Sequence, residues 1–513
     1  MSVTSFHFFC AFAVSLAVYY TVPKKCQWQA LFLFSIYFFV QSSGWKTGIF
    51  FLADAAATAY AAVWTGKAKT EGNAKAARRF LVLGLSVDIA VLAVLKYSPF
   101  FVYNWNLLVR LAGRGPLLEP LSLNAPIGIS FYTLISIGYL ADVYWGLAEA
   151  EKNPFKTALL IGYYPHMTSG PVSRFGQLHG KLFGGGYFYS YDTVAGGLQR
   201  MLWGVFKKLV VSERARILVD AVYGNQDAYR GFYIWTAAFL FMLQLYTDFS
   251  GCMDIILGAS ECYGIRLPEN FRTPFFSGSV QEFWQRWHIT LGAWLKDYVL
   301  YPLMRTGVWH RMTKWLKKHA GKKASRQVPS YLGMLCVWLL IGLWHGGAWK
   351  YILGMGLWFW LCITLEKVLE PFFCRLTKLA GIRTDNFGWH LFQSLRVFLL
   401  VSFGNMFFRL GGISSTLSAV RNGFAEFNPW IFFDGSFVQM GLSYRDQNIL
   451  VIGIFLLFLA AFFKEVSGGA RIWIRKQFFA FRWAVWLFLF VSVLAEGIYG
   501  PGYSAAEFIY RGF

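Results

Sequence analysis

The run Gly342-Leu343-Trp344-His345-Gly346-Gly347-Ala348-Trp349 decides how this chain is read. It sets one titratable imidazole between two apolar runs, residues 331–343 and 351–365. Each run reaches much of the way across a bilayer core, though each is short of the roughly twenty residues of a full span. An ionisable side chain at membrane depth is costly, so those that occur there generally serve function. A second imidazole, His288, ends the upstream run Phe283-Trp284-Gln285-Arg286-Trp287-His288. The pair predicts a membrane-embedded active site rather than a passive bundle.

Composition agrees. Of 513 residues, 56% are hydrophobic and 20% aromatic, while only 14% are charged; a soluble chain of this length carries close to twice that charged share. The apolar residues gather at 7–20, 30–40, 47–64, 80–95, 127–140, 233–246, 330–343, 351–365, 392–408, 449–463 and 483–494. This spacing predicts an all-α, polytopic transmembrane helical bundle of roughly ten to a dozen passes, some short, tilted or re-entrant. The strands of a membrane barrel would alternate apolar and polar residues instead. With no soluble domain and no strong internal repeat, residues 1–513 read as a single integral-membrane domain. The start lacks a cationic stretch, so 7–20 reads as a retained helix rather than a cleaved signal.

Lys plus Arg number 48 against 26 Asp plus Glu, a net charge of +22. In a soluble protein that excess would suggest nucleic acid. Here it falls in loops, at 24–25, 67–79, 305–326, 375–383 and 471–482, so the expected partner is the anionic face of the lipid bilayer and no nucleic acid. The positive-inside rule puts these clusters in the cytoplasm. The turn at His345 then faces the outer side or dips into the membrane from there, and the loop 426–446, with Glu426, Asp434 and Asp446 against one Arg445, lies outside. Seven scattered cysteines form no C-x-x-C pair, and neither a disulfide framework nor a metal site is expected.

His345 is the leading candidate for chemistry. A neutral imidazole takes a proton from a hydroxyl and returns it to a leaving group, and Gly346-Gly347 admits close approach of a substrate to the backbone. The competing reading is a buried histidine bonded to a carbonyl, with Trp344 and Trp349 as belt residues. For His288, the competing reading is a structural interface histidine. The Trp-rich stretch 281–303 reads as one interfacial helix, in which His288 shares a face with Leu291 and not with Arg286, whose guanidinium suits a carboxylate or phosphate. Asp248 and Asp254 are expected to pair with basic residues of neighbouring helices. Arg174 and Lys207-Lys208 read as ordinary cytoplasmic-side charges, with contact to an anionic donor as the alternative. No G-x-x-x-x-G-K-[ST], HExxH or G-x-S-x-G motif is present, which argues against ATP-driven transport, zinc proteolysis and α/β-hydrolase chemistry.

Several stretches together resemble the membrane-bound O-acyltransferases. They are Gln244-Leu245-Tyr246-Thr247-Asp248-Phe249-Ser250-Gly251, then Gly264-Ile265-Arg266-Leu267-Pro268-Glu269-Asn270-Phe271, then residues 283–298, and finally Trp344-His345-Gly346. The similarity is densest over 243–349 and weaker at 126–144, 166–175 and Phe508-Ile509-Tyr510. The resemblance implies a helical bundle around a tunnel in a bacterial cell membrane, with no tightly bound cofactor. It implies that His345 is catalytic and that His288 supports it or positions substrate. It also implies a cytoplasmic acyl donor, acetyl-CoA or an acyl-carrier thioester, an exported polysaccharide as acceptor, and an extracytoplasmic partner of the SGNH-type esterase fold. The basic loop 305–326 suits such a donor by charge. Within the family, Leu267-Pro268-Glu269-Asn270-Phe271 is nearer the alginate-acetylating branch and Ser169-Gly170-Pro171 nearer the branch that transfers D-alanine to teichoic acid. Met304-Arg305 stand where the alginate branch has a Gly-Gly pair. The expected activity is therefore O-acyl transfer, acetyl to a cell-surface polysaccharide first and D-alanyl to teichoic acid second. A membrane transporter or exporter, with histidines that only relay protons, is the reading from another class; the paired broken helices of such proteins are not found here.

Overall fold

The computed structural model describes residues 2–119, 125–167 and 170–499. The similarity at 508–510 and Ser169 of Ser169-Gly170-Pro171 lie outside them. The described residues are helical throughout apart from loops and one isolated antiparallel bridge, Phe271 to Trp287. Among them, eight helices are long and apolar enough to cross a membrane: Trp45–Thr70, Ala74–Leu111, Phe232–Cys262, Gly321–Trp344, Lys350–Leu379, Phe387–Arg409, Tyr444–Ser467 and Phe479–Glu496. The chain is an all-α, multi-pass membrane protein.

These eight are the full-length members of the ten to a dozen passes expected, some of which were expected to be short. The apolar blocks at 7–20, 30–40 and 127–140 fall in helices of 16, 17 and 17 residues, Phe6–Thr21, Gln27–Ser43 and Ile129–Trp145. The last is buried along almost its whole length, so its apolarity serves protein packing rather than lipid contact. Conversely, the two runs flanking His345 are not short. Polar and basic flanks continue both helices, to 24 residues in Gly321–Trp344 and 30 in Lys350–Leu379.

Burial separates core helices from lipid-facing ones. In the most apolar stretch of Phe232–Cys262, 89% of residues are buried inside the protein, against 11% in Phe479–Glu496. The chain divides into two compact units, one taking in Met1–Met201 and Cys252–Glu269, the other Leu202–Gly251 and Asn270–Tyr503. In the first unit, Gly84 lets three helices close on one another: a Cβ there would stand 2.8 Å from the Ala61 methyl and 2.9 Å from Leu140. Hydroxyls of Ser15, Tyr164 and Tyr263 bond to one another in its interior. Arg200 binds Asp254 at 2.9 Å and Glu269 at 2.8 and 2.7 Å, the pairing expected of Asp254.

Among its described residues, the second unit has three π-helical turns, Lys207–Ser212, Lys296–Leu300 and Lys350–Gly356. Such turns insert one residue into a helix and are frequent at functional sites. The first corrects the reading of Lys207 and Lys208 as ordinary cytoplasmic-side charges, since both residues are only 3% exposed. Lys208 is ion-paired with Asp248 and, at 2.7 Å, with Glu213, and Lys207 donates to Ser250 Oγ at 2.9 Å. A charge buried this deeply persists only with such partners.

Candidate active site

Both histidines belong to the second unit, and each sits where a helix stops. The stretch 281–303 is not the continuous helix its sequence suggests. Val280–Arg286 ends, the chain extends through Trp287, and Ile289–Leu295 begins afresh. At the break His288 has φ +48°, a left-handed conformation uncommon for any residue but glycine. Hydrogen bonds from a distant segment hold it there. The Asn270 carbonyl accepts from the Ile289 amide at 3.0 Å, and the Arg286 carbonyl accepts from the Arg272 amide at 2.9 Å. Asn270 Oδ1 accepts from the Thr290 amide (3.1 Å) and hydroxyl (2.8 Å), and stands 3.2 Å from His288 Nδ1. The imidazole is 4% exposed, edge-on to Phe249 with ring centres 4.9 Å apart. Burial pushes its pKa down to about 3, so the ring is neutral at ordinary pH.

Arg286 is engaged within the protein. It binds Glu282 at 2.8 Å, Glu465 at 2.7 Å and Thr273 Oγ1 at 3.0 Å. Its guanidinium thus anchors the short helix and the segment before it.

His345 is the residue immediately after Gly321–Trp344, its amide still bonded to the Ile341 carbonyl at 3.1 Å. The chain then reverses through Gly346 and Gly347, at φ +156° and +58°, values that favour glycine. The returning segment packs against the helix it has just left: a Cβ on Gly342 would lie 2.4 Å from the Tyr351 carbonyl oxygen and 2.7 Å from Ile352 Cα. The His345 ring is 5% exposed, 5.0 Å from the Trp344 ring and 5.5 Å from Phe408. Trp344 also meets His288, with ring centres 6.0 Å apart. One indole therefore touches both imidazoles, and the fold brings together two residues that are far apart in sequence.

The same unit holds buried groups that the sequence reading did not assign to the site. Phe249, which packs on His288, follows Asp248, the partner of Lys208. Arg214 binds Asp446 at 3.0 Å, and Arg216 binds Glu213 at 3.0 Å. The signal available in sequence was the lysine pair running directly into Leu209-Val210-Val211. Arg174 belongs to the first unit, where it precedes the helix Phe175–Phe183. Among the described residues, no three His, Cys, Asp or Glu side chains gather in a way that could hold a metal ion.

Comparison with known proteins bears on this geometry. The model of the membrane-bound O-acyltransferase family matches residues 217–309, the segment that carries the break at His288. A probable alginate O-acetylase of Pseudomonas syringae pv. tomato is 33% identical over 338 residues, 65% of this chain and 58% of that one. A second, from Pseudomonas fluorescens, is 30% identical over 401 residues, 77% of this chain and 70% of that one. A teichoic acid D-alanyltransferase of Bacillus subtilis is 27% identical over 239 residues, 46% and 57% of the two chains. The chain thus spans little more than half the length of the Pseudomonas syringae relative.

Proposed function

The chain belongs to the membrane-bound O-acyltransferase family, and from that premise we propose that it transfers an acyl group, acetyl in the first instance, from a cytoplasmic thioester toward an exported polysaccharide. His345 is the base. As the acceptor hydroxyl attacks the thioester carbonyl, the imidazole takes the hydroxyl proton; the C–S bond breaks, and the proton passes to the departing thiolate. His288, buried and neutral, positions the site through the indole that both rings share. The observation that carries this reading is the seating of His345: a buried imidazole on a glycine turn at the end of a membrane-spanning helix. That is a costly arrangement unless the ring is used.

The donor is acetyl-CoA or a carrier-bound acyl group, the final acceptor a polysaccharide outside a bacterial inner membrane, and an SGNH-type partner there completes the transfer. The whole chain works as one acyltransferase, with its motif-dense core at 243–349. Acetyl is favoured over D-alanyl because the alginate relatives are 30–33% identical over longer stretches and the D-alanyl relative 27%.

The test is release of radiolabelled acetate from acetyl-CoA by the purified protein, wild type beside His345→Ala. The expected result is a loss of about 10²-fold or more in a variant that stays folded and monodisperse. Equal turnover in both would remove His345 from the chemistry. Turnover only with an acyl-carrier thioester would reassign the donor, and turnover only with a D-alanyl carrier would favour the second branch.

A further inference from the structure

Apart from Asp142, the first unit buries two carboxylates that the acyl-transfer reading does not use. Asp54 lies on Trp45–Thr70 and Asp88 on Ala74–Leu111, both membrane-spanning helices, and they are 6% and 1% exposed. Thr58, one turn beyond Asp54, donates its hydroxyl to Asp88 Oδ1 at 3.1 Å. The opposite carboxylate oxygen of Asp88, Oδ2, and Oδ1 of Asp54 have no hydrogen-bond partner. Among the described residues, neither carboxylate has an ion-pair partner.

A third helix closes the site. Tyr132 of Ile129–Trp145 is 1% exposed, its ring edge-on to Phe51, one turn before Asp54, at 5.3 Å. Its hydroxyl is within electrostatic reach of both carboxylates and is itself without a hydrogen-bond partner. The close approach at Gly84, one turn before Asp88, keeps the three helices together here. Basic groups on the packed elements turn elsewhere: Lys96, two turns along from Asp88, donates to Ser130 Oγ at 2.7 Å, and Lys156 lies over the Trp28 and Phe183 rings. Tyr132 is thus the titratable group that faces the pair from a neighbouring helix.

Two buried carboxylates on packed membrane-spanning helices, within electrostatic reach of each other, cannot both stand as bare anions, because repulsion and lost hydration act in the same direction. The oxygens left over need a positive charge. We propose that Asp54 and Asp88, with Thr58 and Tyr132, form a binding site for one monovalent cation, a proton or a sodium ion. A proton on one carboxylate would leave the other to accept it, with the Tyr132 hydroxyl as a further donor. A sodium ion would take the same oxygens as hard ligands. The site is independent of the histidines and of the acyl-transfer reading.

The test uses the purified full-length protein, with infrared spectroscopy of the protonated-carboxyl band and thermal melts in sodium or choline chloride at equal ionic strength. If a proton is held, wild type shows the band at neutral pH, Asp88→Asn lacks it, and melting is the same in both salts. If sodium is held, wild type melts a few degrees higher in sodium, and Asp54→Asn and Asp88→Asn lose the difference. Absence of both signals in wild type overturns the proposal, as does either signal persisting unchanged in both Asn variants. Should those variants fail to fold, Tyr132→Phe removes only the hydroxyl. It must shift the carboxyl band or weaken the sodium effect, and an unchanged signal there also overturns the site.

Discussion

The side-chain oxygen of Asn270 receives the amide and hydroxyl of Thr290 and stands against His288 Nδ1, so one residue holds a left-handed histidine in place. Asn270→Ala would strip that acceptor from buried donors, at a cost of about 1–3 kcal/mol. A lowered melting temperature with reduced acyl release is the expected result, and wild-type behaviour in both would show that the bonds are dispensable. The His288 imidazole gives a pH dependence whose sign is fixed. Burial lowers its pKa from 6.5 to about 3, so below 6.5 the unfolded chain binds a proton that the folded one does not. This contribution to stability is complete above 6.5 and is lost as pH falls toward 3. His288→Asn, which tolerates the left-handed backbone, should melt with a shallower acid dependence than wild type in parallel detergent melts. Identical slopes would mean that the ring is not held neutral.

At the scale of elements, the hairpin that presents His345 depends on a backbone contact. Gly342 faces the Tyr351 carbonyl so closely that even a methyl group has no room, and a backbone oxygen cannot turn away as a side chain would. Gly342→Ala should therefore cost about 1–3 kcal/mol as the helices part. It should also lower turnover by displacing His345, which lies three residues on. A variant that melts and turns over as wild type would mean that the hairpin yields without consequence. The π-turn Lys350–Gly356 belongs to the same design, since Gly356 meets the Trp338 carbonyl at 2.7 Å, measured from a Cβ placed on it. None of this was legible locally. The sequence shows glycines in an apolar run, but which backbone each one faces depends on how the chain returns.

For the whole molecule, the spans from Gly321–Trp344 to Phe479–Glu496 alternate consistently with cytoplasmic basic loops at 305–326, 375–383 and 471–482. In a cysteine-free background, Glu426→Cys should react with an impermeant maleimide in spheroplasts, and Lys318→Cys only after permeabilisation. The reverse pattern would invert the topology and put the His345 turn on the cytoplasmic side. The membrane class and helical character were readable from sequence because long apolar blocks allow no soluble fold and lack the alternation of a barrel. The position of His345 between two such blocks was readable for the same reason. The break at His288 was not, because 281–303 has a pattern a helix accepts and the bonds that interrupt it come from Asn270. Lys208 looked like an ordinary cytoplasmic-side charge because its partners, Asp248 above all, reach it only across the fold. Which of the shorter apolar helices meet lipid was not readable, because apolarity measures exclusion from water and does not say whether lipid or protein excludes it. The sequence by itself thus determined what each segment avoids, and tertiary structure alone decided what each segment meets, since contacts between distant residues carry no local signature.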